Sequence, residues 1–169
     1  MNLLDLISES SDFEIHNRPK LDRILTQLCK VVVAGQRSDP HRWGMVAAAV
    51  LDPTNPPVVG VNYFDPRSQV RVHAERAALD AYYDKYGEIP RGSIIITTCS
   101  PCSSTRMEDR LGQSCTELIN QTPVRKVYAG FEDPTQDDTE NYLDKKFHVE
   151  ITRNPKINQL CERFAHTFI

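Results

Sequence analysis

Apolar residues recur at helical spacing near the start of the chain. Between Pro19 and Gly35 they follow the i, i+3, i+4, i+7 stripe that an amphipathic helix buries against a core. The stripe comprises Leu21, Ile24, Leu25, Leu28, Cys29 and Val32. Pro19 suits the first turn of a helix, and Gly35 suits its C-terminal cap. We therefore predict a helix that ends near Gly35, with Cys29 as a core residue.

Five further segments are rich in β-branched and other aliphatic residues, and they predict strands. They are residues 43–51, 58–64, 93–98, 125–130 and 148–152. A proline-rich turn separates the first two segments, which predicts an antiparallel hairpin. The third segment contains three consecutive isoleucines, and such an unbroken apolar run is typical of a strand covered on both faces.

Helical patterns alternate with these strands. They cover residues 72–85, a segment containing Cys115, residues near 141–146, and residues 155–168, where Cys161 lies in the apolar stripe as a core residue. Alternating strands and helices after residue 58 indicate an α/β layer sandwich with some parallel pairing. We expect residues 1–18 to form an N-terminal leader and residues 19–169 to form a single domain.

Composition narrows the function classes. The 169 residues are 40% hydrophobic and 25% charged, and no apolar run approaches the roughly 18 residues that a membrane helix needs. Five cysteines without regular spacing favour a reducing compartment, so we expect a cytoplasmic protein without a secretory signal. The net charge of −3 gives no general attraction to nucleic acid, which favours a small substrate.

A histidine and a glutamate two residues apart mark the candidate chemistry. His73 and Glu75 lie at the predicted start of a helix, where both side chains can point into one cleft. Downstream, Cys102 and Cys115 could complete a catalytic zinc site, which typically has three protein ligands and one open position. Cys99 competes with Cys115, because it forms a Cys-x-x-Cys pair with Cys102.

These residues resemble the zinc-dependent cytidine deaminase superfamily. The similarity is carried by His73-Ala74-Glu75 followed by Thr98-Cys99-Ser100-Pro101-Cys102, although Thr105 stands where many members have a second cysteine. Riboflavin-pathway pyrimidine deaminases have a longer loop to that cysteine, and Cys115 and the later Asp133-Pro134 are similar to their pattern. The resemblance implies a three-layer α/β/α sandwich with a mixed five-stranded sheet, and Cys115 as third ligand.

The resemblance also implies roles for substrate-contacting residues. We expect Asn62, Ala74 and Ser100 to contact substrate, although Asn62 could equally be a turn-forming residue. Four arginines could bind a substrate phosphate or form a solvated surface: Arg67, Arg71, Arg106 and Arg110. His41 and Trp43 could border the pocket, but a loop histidine and a core tryptophan fit the sequence better.

The predicted function is hydrolytic deamination. Zinc-bound hydroxide would attack an aminopyrimidine nucleoside, nucleotide or riboflavin precursor, and Glu75 would act as the proton shuttle. Two alternatives stay open: a deaminase acting on a base in single-stranded nucleic acid or tRNA, and a non-catalytic zinc-stabilised binding module. Members of the superfamily commonly form dimers or tetramers, so the resemblance implies a homo-oligomer.

Overall fold

The computed structural model describes residues 17–38, 46–103, 113–133 and 145–166. In chain order the elements are α1 (Arg18–Ser38), β1 (Ala47–Leu51), β2 (Val58–Val61), β3 (Tyr63–Asp65), β4 (Val70–Val72), α2 (Ala74–Tyr86), β5 (Ile94–Thr97), α3 (Cys115–Asn120), β6 (Lys126–Ala129), β7 (His148–Ile151) and α4 (Pro155–His166). Within these ranges, no helix is both long and apolar enough to cross a membrane.

A mixed five-stranded sheet forms the centre of the fold, with the order β2-β1-β5-β6-β7. β1 pairs antiparallel with both β2 and β5, whereas β5, β6 and β7 are mutually parallel. The predicted hairpin, the predicted mixed sheet and its five strands are therefore confirmed. The carboxyl ends of β5 and β6 lie at one edge of the sheet, where α/β proteins commonly bind ligands.

Two apolar layers cover the sheet. Strand residues alternate between its faces, so Ile94 and Ile96 pack in one cluster with α1, whereas Ile95 packs in the other with α2 and α3. Ile157 and Phe164 of α4 join the α1 cluster. The sheet thus lies between two helical layers, as the predicted α/β/α sandwich requires.

Helix α2 lies unusually close to the sheet. A Cβ added to Gly60 of β2 would stand 2.2 Å from the backbone nitrogen of Ala78 and 2.6 Å from the carbonyl oxygen of Ala74. Glycine at position 60 and the alanines of α2 therefore permit a contact that larger side chains would exclude. This contact fixes the N-terminal turn of α2 relative to the sheet edge that carries the site.

The buried thiols Cys29 and Cys161 lie in contact between α1 and α4, the first and last helices of the described residues. Their Sγ atoms are 3.7 Å apart between α1 and α4, and both residues are buried, as predicted for core cysteines. Arg18, the first residue of α1, pairs with Glu150 of β7 at 2.7 Å. The predicted leader boundary stays a prediction, since residues 1–16 lie outside the described residues.

Several predicted element boundaries differ in the structure. The predicted strand 58–64 is interrupted at Asn62, after which β3 and β4 form a separate two-stranded sheet. Helix α2 begins at Ala74 and not at Val72, because Val70–Val72 pairs with β3. Helix α1 continues past Gly35 to Ser38. Of the predicted helix 141–146, only residues 145 and 146 are described, and neither is helical.

Candidate zinc and catalytic site

Three separate segments meet at the carboxyl end of β5. The first turn of α2 contributes His73 and Glu75, the loop after β5 contributes Cys102, and the first residue of α3 is Cys115. His73 is the N-cap of α2, yet its side chain makes no capping hydrogen bond. An N-cap residue is commonly serine, threonine or aspartate, whose side chain stabilises the helix. In α2 this position is occupied by a histidine whose ring does not cap the helix.

The histidine nitrogen and the two sulfur atoms form a compact triangle. His73 Nδ1 is 3.5 Å from Cys102 Sγ and 3.5 Å from Cys115 Sγ. All three candidate ligand atoms lie within 4.8 Å of one another. In the described part of the chain, this is the one group of three potential ligands at such spacing.

The spacing of this triangle fits tetrahedral zinc. With Zn–S bonds of about 2.3 Å and a Zn–N bond of about 2.0–2.1 Å, a ligand nitrogen and a ligand sulfur stand about 3.6 Å apart. The 3.5 Å distances from His73 to both sulfurs match that value. One imidazole and two thiols leave a fourth position, which is the arrangement of catalytic zinc sites.

Local structure holds both thiols in place. Ser114 and Glu117 form a capping box at the start of α3: the Ser114 side chain accepts from the Glu117 backbone, and the Glu117 carboxylate accepts from the Ser114 backbone. The backbone N–H of Cys115 donates to Cys102 Sγ at 3.2 Å. A hydrogen bond with the Cys115 thiol, and then the neighbouring His73, lower the pKa of the Cys102 thiol against the effect of burial. A thiolate, the form that binds metal, is thus favoured at Cys102.

Cys99, the rival third ligand, lies outside the triangle. Burial raises the pKa of the Cys99 thiol, and a hydrogen bond with Cys102 together with burial raises that of Cys115, so the positions of the sulfurs and not their acidity separate the two candidates. The backbone carbonyl oxygen of Cys99 lies 2.8 Å from the Thr97 hydroxyl. The structure therefore brings Cys102 together with Cys115 and not with Cys99.

Glu75 is a buried carboxylate beside the triangle, with 3% of its surface exposed. Its Oε2 lies 3.5 Å from Cys115 Sγ, and its Oε1 accepts a hydrogen bond from the Thr97 hydroxyl at 3.0 Å. Burial raises the pKa of Glu75, and the neighbouring His73 opposes the shift only in part. Such an environment favours a group that can take up and release a proton.

The predicted substrate residues border the same edge but have structural contacts of their own. Asn62 is buried, and its Oδ1 accepts from the backbone N–H of Val46 at 3.0 Å, which extends the β1–β2 pairing by one position. Ser100 Oγ accepts from the backbone N–H of Asp133 at 3.0 Å. Ala74 is fully buried at the start of α2. Substrate contact by these three residues stays a prediction.

Two of the four candidate phosphate-binding arginines lie among the described residues. Arg67 is exposed in the turn between β3 and β4, and Arg71 lies in β4 opposite Phe64. Arg106, Arg110, His41 and Trp43 lie outside the described residues. One polar contact was not anticipated from the sequence: the Arg76 guanidinium donates to Gln113 Oε1 at 3.1 Å, which links α2 to the segment before Cys115.

Comparison with known families agrees with this geometry. Residues 21–131 match the family described as the cytidine and deoxycytidylate deaminase zinc-binding region. The chain belongs to this family. It therefore contains the family's zinc-binding region, and the predicted zinc cofactor is supported both by the family and by the spacing of His73, Cys102 and Cys115. No curated protein sequence matches the chain.

Solved deaminase structures share the fold. A diaminohydroxyphosphoribosylaminopyrimidine deaminase/5-amino-6-(5-phosphoribosylamino)uracil reductase from Thermotoga maritima has a TM-score of 0.62 and 22% identity over 90% of this chain and 42% of its own. A dCMP deaminase from the cyanophage S-TIM5, in complex with dCMP and dUMP, has a TM-score of 0.52 and 22% identity over 76% and 96% of the two chains.

A third structure comes from work on A-to-I editing by tRNA:A34 deaminases, and it has a TM-score of 0.54 and 19% identity over 75% and 95% of the chains. Identities this low demonstrate the deaminase fold alone. This chain spans less than half the length of the Thermotoga protein.

Proposed function

We propose that this deaminase-family protein removes the exocyclic amine of a free aminopyrimidine nucleotide, either a cytidine-type nucleotide or a phosphorylated riboflavin precursor. The observation that carries the proposal is the buried Glu75 carboxylate directly beside the His73, Cys102 and Cys115 triangle. A purely structural zinc site needs no such carboxylate, whereas hydrolysis needs a proton carrier. The two nucleotide deaminase relatives support this substrate class.

In the proposed reaction, His73, Cys102 and Cys115 are the zinc ligands. Zinc bound by them supplies a Lewis acid that makes water nucleophilic near neutral pH. Glu75 takes the proton from the attacking water at Oε2 and delivers it to the ring nitrogen. The water oxygen forms a C–O bond to the ring carbon. Glu75 then transfers the remaining proton of that oxygen to the amine, the C–N bond breaks and ammonia leaves.

A panel of substrates tests the reaction. Zinc-loaded protein is incubated with dCMP, CMP, cytidine, cytosine, a phosphoribosyl-aminopyrimidine and single-stranded oligonucleotides, and ammonia release is measured. We expect turnover of at least one free nucleotide. Turnover restricted to oligonucleotides or tRNA would favour the base-editing alternative, to which the tRNA:A34 relative lends support. Folded, zinc-replete protein that releases no ammonia from any of these would favour the binding module.

Two cysteine variants test the ligand set. We expect Cys115→Ser to lose most of its bound zinc, because serine is a poor ligand for this metal and leaves the site with two ligands. Cys99→Ser is the matched control, since Cys99 lies outside the triangle, and it should retain about one zinc per chain. Zinc is measured by atomic emission on dialysed protein. Full zinc content in Cys115→Ser would reject the proposed ligands.

The biological setting is part of the same proposal. All five cysteines are free thiols, which suits a reducing compartment, and we propose a cytoplasmic enzyme. We also propose that it assembles as a dimer or tetramer. Light scattering on the purified protein measures the assembly directly, and a monomer at micromolar concentration would contradict it.

A further inference from the structure

Thr97 connects the sheet to the carboxylate of Glu75. It is the last residue of β5 and is completely buried. Its hydroxyl lies 3.0 Å from Glu75 Oε1 and 2.8 Å from the backbone carbonyl oxygen of Cys99. A threonine hydroxyl has one hydrogen and two lone pairs, so it can donate to one of these oxygens at a time.

The position of Thr97 is unusual for a threonine. Residues of a strand alternate between faces, so Thr97 points to the same side as Ile95, toward α2. That side is otherwise lined by apolar residues such as Ala48 and Ala78. A hydroxyl in this layer needs a hydrogen-bond partner, and Glu75 is the side chain that provides one.

The two oxygens of Glu75 thus have different surroundings. Oε1 faces the sheet and the Thr97 hydroxyl, whereas Oε2 faces Cys115 Sγ and the ligand triangle. A carboxylate held at one oxygen cannot rotate freely about its terminal bond, which leaves the other oxygen directed at the metal site. Hydrogen bonds of this kind orient reacting groups without touching the substrate.

We propose that Thr97 is a positioning residue that fixes the Glu75 carboxylate with Oε2 toward the zinc site. The inference rests on the proposed function, because it assigns Thr97 a part in the reaction that Glu75 performs. Thr97 has no exposed surface, so it acts through Glu75 and does not contact the substrate.

A set of threonine variants separates this role from a structural one. Thr97→Val keeps the shape and removes the hydroxyl, and we expect kcat to fall about 10-fold to 100-fold with KM and zinc content unchanged. Thr97→Ser restores the hydroxyl and should return kcat to within about threefold of wild type. The control is Thr122→Val, because Thr122 is also buried and donates to a backbone carbonyl, that of Ile119, at 2.7 Å.

Thr122→Val should lose stability but keep its kcat, since its hydroxyl bonds no carboxylate. If Thr97→Val lowered only thermal stability, as Thr122→Val does, and kept wild-type kcat, the positioning role would be wrong. Failure of Thr97→Ser to restore kcat in folded, zinc-replete protein would also contradict it, because the hydroxyl itself would then not be the relevant group.

A crystallographic measurement tests the inference independently of turnover. In the zinc-loaded wild type, Glu75 Oε1 should bond the Thr97 hydroxyl, and in Thr97→Val the carboxylate should rotate or occupy several orientations. An identical, singly occupied carboxylate in both proteins would overturn the inference. If the wild type released no ammonia, or Glu75→Gln retained full turnover, the proposed function would fail, and this structural comparison would still decide the role of Thr97.

Discussion

A buried carboxylate lies near each end of helix α2, and the two carboxylates differ in their hydrogen-bond donors. At its N-terminal end the helix itself supplies Glu75, beside the ligand triangle. Seven residues later, Tyr82 donates a hydrogen bond to Asp52, which follows β1 at the opposite edge of the sheet. Both carboxyl residues have no more than 3% of their surface exposed.

The hydrogen-bond donors distinguish the two groups. Asp52 accepts from the backbone N–H groups of Thr54 and Asn55, from the Thr54 hydroxyl and from the Tyr82 hydroxyl. Burial alone would raise the pKa of Asp52, but these donors together outweigh burial and lower it. Glu75 has a hydroxyl donor on one oxygen and a long thiol contact on the other, and burial raises its pKa.

The difference indicates how this fold separates stability from chemistry. A carboxylate saturated with donors, like Asp52, is held in one charge state and closes a turn. A carboxylate with few donors in a dry site, like Glu75, can exchange a proton, at a cost to the stability of the folded state. The following changes should therefore affect activity at one end of α2 and stability at the other.

Glu75→Gln should have the largest effect on activity. The amide keeps the shape of the side chain but cannot carry the proton, so we expect kcat to fall by a factor of about 10² to 10⁴. Thermal stability of the zinc-loaded variant should be no lower than that of wild type, because a neutral amide replaces a poorly solvated acid. Parallel kinetics and differential scanning calorimetry measure both. A variant that lost stability and kept kcat would reverse the comparison.

Tyr82→Phe should give the opposite result. It leaves one oxygen of Asp52 without the tyrosine donor, and it removes one of the two acceptors of the Asn55 amide, the Tyr82 hydroxyl 3.1 Å away, while the Thr54 hydroxyl remains. We expect unfolding free energy to fall by about 1–3 kcal/mol, the usual cost of an unpaired buried polar group, with kcat unchanged.

The neighbouring Tyr83→Phe is the control for this experiment, since Tyr83 is 39% exposed. Its unfolding free energy should change by less than about 0.5 kcal/mol. Urea denaturation of the three proteins provides the values. Equal stability of Tyr82→Phe and Tyr83→Phe would mean that the Asp52 cluster contributes no net stabilisation.

Most of the fold was predictable from the sequence because periodicity reflects burial. The apolar stripe of α1 predicted a helix buried on one side, and the continuous isoleucines of β5 predicted a strand buried on both faces. Both predictions are confirmed. The break at Asn62 was missed because β-branched and aromatic residues continue on both sides of it. The amide oxygen of Asn62 accepts from the backbone N–H of Val46 in place of a strand carbonyl, a side-chain contact that local propensity does not encode.

The candidate site was predictable only in part. Motif spacing identified His73, Glu75 and Cys102, but the sequence alone left Cys99 and Cys115 as alternatives, since the loop between Cys102 and Cys115 carries no periodic signal. The contact of Thr97 with Glu75 was missed entirely. One signal could have revealed it: a lone polar residue at the end of an isoleucine strand, on the same face as Ile95.

Acid titration should give the smallest effect and distinguish the two carboxylates once more. The folded-state pKa of Asp52 lies below the unfolded value of about 3.9, so its contribution to stability is complete above that pH and is lost as pH falls through the folded pKa. Asp52→Asn should therefore be less stable than wild type at neutral pH. When it unfolds below pH 4, it should take up fewer protons than wild type does, by less than about one. Asp84→Asn, which changes an exposed carboxylate of α2, is the control. Urea midpoints measured between pH 2.5 and 7 test this, and identical pH dependence in wild type and Asp52→Asn would show that the four donors do not stabilise the ionised carboxylate.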